Sequence, residues 1–325
     1  MIRRLLLLCI TSILFLPGCS APPPSPVVLI LDTDMETDVD DVGALAVLHA
    51  LADRGEATLL AIAVSSANPW SGRCALAVNR FYGRPKIPVG VAPRGVTMGS
   101  SYARQVAEEF GEDTTAPLPD AVSLYREVLA ARPDGSVTIV SVGYLTNLAA
   151  LLGSGSDPAS PLDGVRLVRK KVRRLVVMGG EYPAGREWNF YQDAAAARLV
   201  VENWPVAITF VGFEAGREAL TGRGLRESAP SPLRRAYELY NNLTDRPSWD
   251  QLAVLVAVRR QQGERQKMWR FEPGKNSVAD DGSNRWSKAD AALHEYLAPI
   301  AAPADLGRLI ESLMLEAVGS GSKRP

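Results

Sequence analysis

The sequence has no excess of either charge, because 36 lysine and arginine residues balance 36 aspartate and glutamate residues. This balance removes the long-range attraction that draws basic proteins to nucleic acids or anionic membranes, so no nucleic-acid partner is predicted. The sequence also contains few cysteines. Cys74 is the only cysteine after Cys19, so the fold depends on packing rather than on internal disulfide bonds. The sequence also has no repeat of fixed period and no low-complexity tract.

A long apolar run occurs only at the N-terminus, where residues 5–16 follow the basic pair Arg3 and Arg4. The run is shorter than a membrane span requires and is typical of a signal peptide, here residues 1–18. It ends in Leu-Pro-Gly-Cys19, which resembles a bacterial lipobox and implies lipid on Cys19, with residues 19–26 as a Pro-rich tether. We expect a lipoprotein on the periplasmic side of a bacterial membrane, with the lipid as its only membrane contact. An ordinary cleaved signal, giving a periplasmic or secreted protein, and an uncleaved anchor are the alternatives.

From residue 27 the chain alternates short apolar runs with helical segments. The predicted strands are VVLIL, TLLAIAV, IPVGV, SVTIVSV, RRLVVMGG and VAITFVG. Helices are predicted at residues 39–52 and 71–82, on both sides of a loop at 112–119, from 145, from 192, near 215, and over most of the chain from 232. This order predicts an α/β fold with a mostly parallel, doubly wound sheet covered by helices on both faces. We expect one domain at residues 27–318 and a frayed tail at 319–325.

The stretch ILDTDMETDVDD, residues 30–41, places five aspartates and one glutamate where the first strand ends and the first helix begins. Helix capping accounts for one or two of these carboxylates. The others would repel one another unless a cation neutralised them. Because several carboxylates in flexible geometry suit Ca²⁺, the stretch predicts a calcium site at the ligand-binding edge of the sheet.

Further polar side chains follow other predicted strands. They are Asn68, the segment VGYLTN at 142–147, Glu187 with Asn189 and Asp193, and the pair Trp249 and Asp250. Glu187 and Asn189 are two residues apart, so an extended segment would point both in one direction. Singly, these residues are also explained as turn and capping residues.

The order of these segments resembles the nucleoside hydrolase family, the inosine-uridine-preferring ribohydrolases and their relatives, over most of residues 27–260. The family signature is D-x-D, three residues, then D-D followed by A-x-A-L. Here it reads DTDMETDVDDVGAL, with two extra residues, so either Asp38 with Val39 or Asp40 with Asp41 could occupy the paired positions. The following VGAL favours Asp40 with Asp41. Asp38 is left unassigned, as a cap or a supporting group.

The resemblance implies a role for each matching residue. It implies a Ca²⁺ ion bound by Asp34, Asp41, the carbonyl of Val142 and Asp250, with the sugar's 2′- and 3′-hydroxyls and a water completing the shell. It implies that Asp40 and Asn68 contact the ribose hydroxyls and that Glu187 and Asn189 hold the 5′-hydroxyl. Asp34 is the expected general base for the attacking water, and Asp32 is expected to orient the acidic loop.

One position departs from the inosine-uridine-preferring pattern, in which a histidine that protonates the leaving base precedes the late aspartate. That position is Trp249 here, and neither histidine of the chain, His49 or His294, matches it. We expect a structural role for His49. A tryptophan there resembles the purine-preferring branch, in which an aromatic ring stacks on the purine; Trp70 and Trp188 are candidate partners for Trp249. Packing is the alternative role of Trp249.

These features predict a calcium-dependent hydrolase that cleaves the N-glycosidic bond of ribonucleosides, releasing ribose and free base for salvage, with a preference for purines. A nucleoside- or sugar-binding lipoprotein with impaired catalysis and a hydrolase of another ribosyl substrate are the alternatives. A D-x-D phosphatase with Asp32 as nucleophile fits less well, because the sequence lacks an obvious matching lysine and late D-D pair. The resemblance also suggests a homo-oligomer. We interpret residues 270–286 as a loop or hairpin near the site, and residues 166–174 as a solvated face before a strand.

Overall fold

A computed structural model describes residues 25–112, 116–289 and 293–321. The predicted signal peptide, Cys19 and most of the tether lie outside these residues. The strands are β1 (Val27–Thr33), β2 (Ala57–Val64), β3 (Val89–Val91), β4 (Val137–Ser141), β5 (Val172–Met178), β6 (Ala184–Gly185), β7 (Ile208–Val211), β8 (Leu220–Thr221), β9 (Arg246–Pro247), β10 (Trp269–Val278), β11 (Asn284–Lys288) and β12 (His294–Pro299). The helices are α1 (Asp40–Asp53), α2 (Ser71–Phe81), α3 (Ala103–Phe110), α4 (Ala121–Ala130), α5 (Thr146–Gly153), α6 (Gly164–Lys171), α7 (Trp188–Gln192), α8 (Ala194–Asn203), α9 (Phe213–Gly216), α10 (Pro232–Asn241), α11 (Trp249–Arg265) and α12 (Pro303–Gly321), with a 3₁₀ turn at Arg223–Glu227.

Ten of these strands form one sheet in the order β3-β2-β1-β4-β5-β7-β12-β10-β11-β6. Neighbouring strands are parallel from β3 to β12, and antiparallel from there to β6. The chain therefore proceeds from β1 to one side through β2 and β3, and later to the other side through β4, β5 and β7. This reversal places a crevice outside the carboxyl ends of β1 and β4, where ligands bind in open α/β sheets.

Both faces of the sheet are buried, as the continuous apolar strands predict. Along β1, Leu29 and Leu31 pack into one core layer, whereas Ile30 packs into the layer on the opposite face. Helix α1 is buried all round because it lies between the sheet and the helices α11 and α12. An α-helix without a polar face is expected in such an interior position. The mostly parallel, doubly wound α/β prediction is confirmed.

The C-terminal part differs from the expectation of a mostly helical region after residue 232. Between α11 and α12 the chain forms β10, β11 and β12, which extend the main sheet. Several side chains of β10 alternate between buried and exposed positions, the pattern of a half-solvated strand. Residues 270–286 are a hairpin, one of the two interpretations. Helix α12 continues to Gly321, which lies beneath Phe81, so the tail predicted from residue 319 begins within this helix.

Residues 166–174 form the last part of α6 and the first part of β5. Arg166 is exposed, in accordance with the predicted solvated face, whereas Arg174 is partly buried and pairs with Glu295 at 2.6 Å. In the part of the chain that the structure describes, no helix combines the length and the apolar composition needed to cross a membrane.

Candidate active site

A cavity of about 340 Å³ opens at the carboxyl edge of the sheet, above β1, β4 and β5 and beside the N-termini of α1 and α11. Acidic and aromatic side chains predominate in its wall. The lining residues are Asp34, Thr37, Asp38, Asp40, Asp41, Val142, Met178, Glu187, Trp188, Asn189, Phe213, Tyr240, Arg246, Trp249 and Asp250. Most of the predicted site residues therefore meet in one place.

The acidic loop between β1 and α1 is fixed by its own carboxylates. Asp41 Oδ1 accepts hydrogen bonds from Thr33 Oγ1 and from the backbone N–H of Met35, the latter at 3.1 Å. Asp34 Oδ1 accepts from the backbone N–H of Glu36 at 3.1 Å. Met35 is buried and has φ of 50°, a left-handed conformation that is uncommon for a residue other than glycine. The loop thus bends sharply and holds its aspartates in the cavity wall.

Three buried carboxylates form the acidic centre of the cavity. Oxygen atoms of Asp40, Asp41 and Asp250 all lie within 4.8 Å of one another. The backbone N–H of Asp250 donates to Asp40 Oδ2 at 3.2 Å, so the first turns of α1 and α11 meet here. Burial, followed by the charges of neighbouring carboxylates, raises the pKa of both Asp40 and Asp250 well above the usual range.

This donor set fits a hard divalent cation, which binds oxygen ligands and would offset the repulsion among the carboxylates. Asp34, Asp41 and Asp250 were predicted as metal ligands. Asp40, predicted as a sugar contact, completes the group of three, and Asp34 lines the cavity outside that group. Val142, whose carbonyl is a further predicted ligand, also lines the cavity, and this carbonyl accepts a hydrogen bond from Asn189 Nδ2 at 3.0 Å.

Asp34 has the environment of a carboxyl group with altered proton affinity. Its pKa is raised well above the usual range, first by burial and then by the charges of Asp41 and Glu36. A carboxylate with a raised pKa accepts a proton more readily at neutral pH than an exposed one does. The position and the charge environment of Asp34 therefore suit proton abstraction inside the cavity.

Asp32 lies behind the cavity wall. Its Oδ2 accepts hydrogen bonds from Tyr125 Oη at 2.9 Å and from Asn147 Nδ2 at 3.1 Å, and its carbonyl accepts from the N–H of Val142 at 2.7 Å. Burial raises the pKa of Asp32 to about 7. These contacts tie the ends of β1 and β4 together, and the orientation of the acidic loop by Asp32 stays a prediction.

Glu187 and Asn189 both line the cavity, as predicted. The predicted extended segment is wrong, because the two residues lie at the start of a helix. Glu187 is the N-cap of α7, and its carboxylate accepts from the backbone N–H groups of Asn189, Phe190 and Gly180 at 2.7, 3.2 and 3.1 Å. Asn189 lies in the first helical turn. Burial raises the pKa of Glu187 to about 7. The cap, rather than strand alternation, directs the two side chains to the site.

Asn68 does not line the cavity. Its Oδ1 accepts from the backbone N–H of Trp70 at 2.9 Å, so its side chain stabilises the turn before α2. Its predicted contact with ribose stays a prediction. Asp193 caps α8 through the N–H of Ala196 at 3.2 Å. His49 is buried against Asn79 at 2.9 Å, a structural position as expected.

The aromatic part of the cavity consists of Trp249, Phe213, Tyr240 and Trp188. The rings of Trp249 and Phe213 stack with centroids 5.2 Å apart, and Trp249 Nε1 donates to the Phe213 carbonyl at 2.7 Å. Trp188 is 39% exposed and makes an edge contact with Tyr191. Trp70, the other candidate partner, lies outside this cavity and packs under Arg104.

The sequence did not reveal the contributions of Arg246, Tyr240 and Phe213. Arg246 forms an ion pair with Asp38, the aspartate that the family signature left unassigned. The position of Arg246 three residues before Trp249 was the one available signal, and it does not identify the partner. Only the folded chain brings the two residues together.

The family model for inosine-uridine preferring nucleoside hydrolases matches residues 29–292. The pyrimidine-specific ribonucleoside hydrolase RihA of Shewanella sp. (strain ANA-3) is 31% identical over 208 residues, 59% of this chain and 60% of that protein. The non-specific ribonucleoside hydrolase RihC of Escherichia coli (strain SMS-3-5 / SECEC) is 28% identical over 41% of this chain and 42% of its own length. The chain therefore spans less than two thirds of these relatives.

Solved structures show the same fold. The purine-preferring ribonucleoside hydrolase from Gardnerella vaginalis has a TM-score of 0.70 at 18% identity, covering 91% of this chain and 100% of that one. The inosine-uridine preferring nucleoside hydrolase from Bacillus anthracis has a TM-score of 0.67 at 16% identity, covering 89% and 99%. With the family match over most of its length, the chain belongs to the nucleoside hydrolase family.

Proposed function

We propose that this protein is a calcium-dependent ribonucleoside hydrolase that cleaves the N-glycosidic bond and releases ribose and free base. The observation that carries the proposal is the buried group of Asp40, Asp41 and Asp250 beside Asp34 at the carboxyl edge of the sheet. Membership of the family supports the reaction class.

Asp40, Asp41 and Asp250, with the Val142 carbonyl, would hold the calcium ion. When bound, this ion would lower the pKa of a water and bind the ribose hydroxyls. Asp34 accepts the proton of the attacking water. The bond to the base breaks through a transition state with positive charge at the anomeric carbon, which the surrounding carboxylates stabilise.

The side of the cavity formed by the start of α7 suits the 5′-end of the sugar. Asn189 is held by the Val142 and Met178 carbonyls at 3.0 and 3.3 Å, and Glu187 is held by three backbone N–H groups. Because the two side chains are fixed in advance, they can position a hydroxyl without losing conformational entropy. The lining residues include six carboxylates and one guanidinium group, so a neutral nucleoside fits better than a phosphorylated one.

The base would lie against the aromatic surface of Trp249 and Phe213. A planar base can stack on an aromatic ring, and the larger ring system of a purine gains more from this contact, which supports a preference for purines. The Gardnerella vaginalis protein is described as purine-preferring, whereas the Shewanella relative is described as pyrimidine-specific, so the preference must be measured.

Export as a lipoprotein belongs to the same proposal. It is supported by the apolar run before Cys19 and by the Pro-rich residues after it. A calcium enzyme outside the cytoplasm would convert nucleosides into ribose and bases for uptake. A homo-oligomer is proposed by analogy with the family.

The test is to assay reducing sugar after incubating the purified protein with calcium and a panel of purine and pyrimidine nucleosides. Asp34→Ala and Asp250→Asn should each abolish ribose release, whereas the exposed substitution Asp134→Asn should leave it unchanged. Saturable nucleoside binding without ribose release would instead support a binding lipoprotein. Phosphate release from a phosphomonoester would support the phosphatase alternative.

A further inference from the structure

The cavity contains an ion pair that the proposed reaction has not yet used. Arg246 Nε donates to Asp38 Oδ1 and Oδ2, both at 3.1 Å, and Arg246 Nη2 donates to Asp38 Oδ2 at 2.5 Å. Asp38 also accepts from the N–H of Val39 at 2.7 Å, and its carbonyl accepts from Tyr102 Oη at 2.7 Å. The backbone of Arg246 is paired with Thr221 in the β8–β9 ribbon. Both partners are therefore fixed from more than one side.

The guanidinium group lies on the aromatic side of the cavity. Its central carbon is 5.3 Å from the centre of the Trp249 ring and 5.6 Å from that of Tyr240. Trp249 in turn stacks on Phe213, so these four side chains form one connected wall. Among the described residues that line the cavity, Arg246 is the only one with a cationic side chain.

The bonds to Asp38 use Nε and Nη2, so Asp38 leaves the two N–H groups of Nη1 for another acceptor. The other polar groups of this wall are less suitable. Trp249 Nε1 already donates to the Phe213 carbonyl, and the Tyr240 hydroxyl is a neutral donor. A hydrogen bond from a charged donor is roughly twice as strong as one between neutral groups.

We propose that Arg246 donates a hydrogen bond to the leaving base, at the nitrogen or oxygen where negative charge develops, and that Asp38 positions it for this role. This inference rests on the proposed N-ribohydrolase function. It gives a role to Asp38, the extra acidic residue of the loop. It also provides stabilisation of the leaving base in a chain that has Trp249 at the position of the histidine acid.

The reaction balances without a proton from Arg246. The C1′–N bond breaks and its electron pair moves onto the base, while the oxygen of water bonds to C1′ and its proton passes to Asp34. Arg246 keeps its protons, because a guanidinium group stays charged in proteins. It stabilises the departing base through the hydrogen bond. The base then takes a proton from solvent, and Asp34 returns its proton to solvent.

A comparison of two leaving groups tests this role. Natural nucleosides need stabilisation of the departing base, whereas p-nitrophenyl β-D-ribofuranoside releases a phenolate that is stable without it. Arg246→Gln should lower kcat/KM for nucleosides by about 100-fold, the scale of one lost charge-stabilising donor. It should leave kcat/KM for the p-nitrophenyl riboside unchanged.

Three further variants sharpen the comparison. Arg246→Lys keeps the charge but loses the planar fork, so it should recover only part of the nucleoside activity. Asp38→Asn keeps a hydrogen-bond acceptor but removes its charge. This variant should have a kcat/KM about 10-fold lower on nucleosides and unchanged on the p-nitrophenyl riboside. Arg223→Gln removes an exposed arginine paired with Asp245 at 2.9 Å and is the matched control, with no change on either substrate.

The outcomes separate the two proposals. An equal loss on both substrates in Arg246→Gln, with a cooperative unfolding transition like that of the unsubstituted protein, overturns the role of Arg246 and leaves the proposed function intact. If Arg246→Gln does not fold, added guanidinium must restore nucleoside hydrolysis selectively in Arg246→Ala, and failure to do so also overturns the role. Inactivity of the unsubstituted protein on both substrates refutes the proposed function itself.

Discussion

Replacement of Asp41 by asparagine should make the calcium-free protein more stable and weaken its response to calcium. Asparagine keeps an oxygen in the position that accepts from Thr33 Oγ1 and from the N–H of Met35. The substitution therefore removes a charge and leaves the local hydrogen bonds in place. A stabilising effect at a buried polar position distinguishes a functional cluster from ordinary packing.

The magnitude follows from the geometry. Two unit charges 4.8 Å apart repel by about 3 to 4 kcal/mol at an effective dielectric constant of about 20. The pKa gives a similar figure. Burial first, and then nearby carboxylates, raise the pKa of Asp41 from 3.8 to about 7 despite two hydrogen bonds that lower it. At about 1.4 kcal/mol for each pKa unit, the charged form costs the folded state about 4 kcal/mol.

The sign of the pH dependence follows from linkage. The folded state binds a proton at Asp41 more tightly than the unfolded state, so the cost is absent below pH 4 and complete above pH 7. In urea titrations with a chelator at pH 8, Asp41→Asn should therefore unfold with a free energy about 2 to 4 kcal/mol higher than the unsubstituted protein. The difference should shrink as the pH falls towards 4.

Calcium should remove the greater stability of Asp41→Asn over the unsubstituted protein. At a concentration 100 times its Kd, a ligand stabilises the folded protein by about 2.7 kcal/mol, and Asp41→Asn should gain much less. The exposed Asp134→Asn should change the free energy of unfolding by no more than about 0.5 kcal/mol in either condition. An Asp41→Asn variant that is less stable than the unsubstituted protein in chelator, or that gains as much from calcium, would refute the reasoning.

Three shorter predictions follow from the same structure, and a fourth follows from the sequence. A nucleoside 5′-monophosphate should be hydrolysed with a kcat/KM about 100-fold below that of its nucleoside, because six carboxylates line the cavity; a reducing-sugar assay measures this, since it detects both ribose and ribose 5-phosphate. Glu187→Gln should lower Tm and raise KM, since an amide N–H₂ would face backbone N–H groups that now donate to the carboxylate. Burial first, and then Lys275, lower the pKa of His294 to about 4, so the unfolded state binds the extra proton between pH 6.5 and 4. Stability should therefore fall by about 2 kcal/mol over that range, and this loss should disappear in His294→Gln. Cys19→Ser should move the protein from the detergent phase to the aqueous phase in a partition assay.

The sequence predicts six strands of the parallel part of the sheet, β1, β2, β3, β4, β5 and β7, because each is a short apolar run between turns or helical segments. It did not identify β10, β11 and β12, in which buried and exposed side chains mix along a half-solvated hairpin and the strand beside it. An apolar run signals burial on both faces, whereas a half-exposed strand resembles a polar loop or helix when read alone. The C-terminal strands therefore required the folded neighbours against which they pack.

The acidic part of the site could be predicted because most of its carboxylates lie in one twelve-residue stretch. The ion pair of Asp38 and Arg246 could not, because its partners are 208 residues apart in the sequence. Glu187 was found for an incorrect reason, since it acts as a helix cap rather than as part of an extended segment. For Asn68, the alternative interpretation as a turn residue accounts for its observed hydrogen bond.

The most direct test of the account is to follow ribose release from a purine nucleoside with one preparation of the protein in three states: as purified, after chelation, and after calcium is restored. The account predicts activity in the first state, its loss in the second and its recovery in the third, with no recovery in Asp250→Asn. Ribose release that persists in chelator, or that calcium restores equally in Asp250→Asn, would contradict the claim that the buried aspartates act through a bound cation.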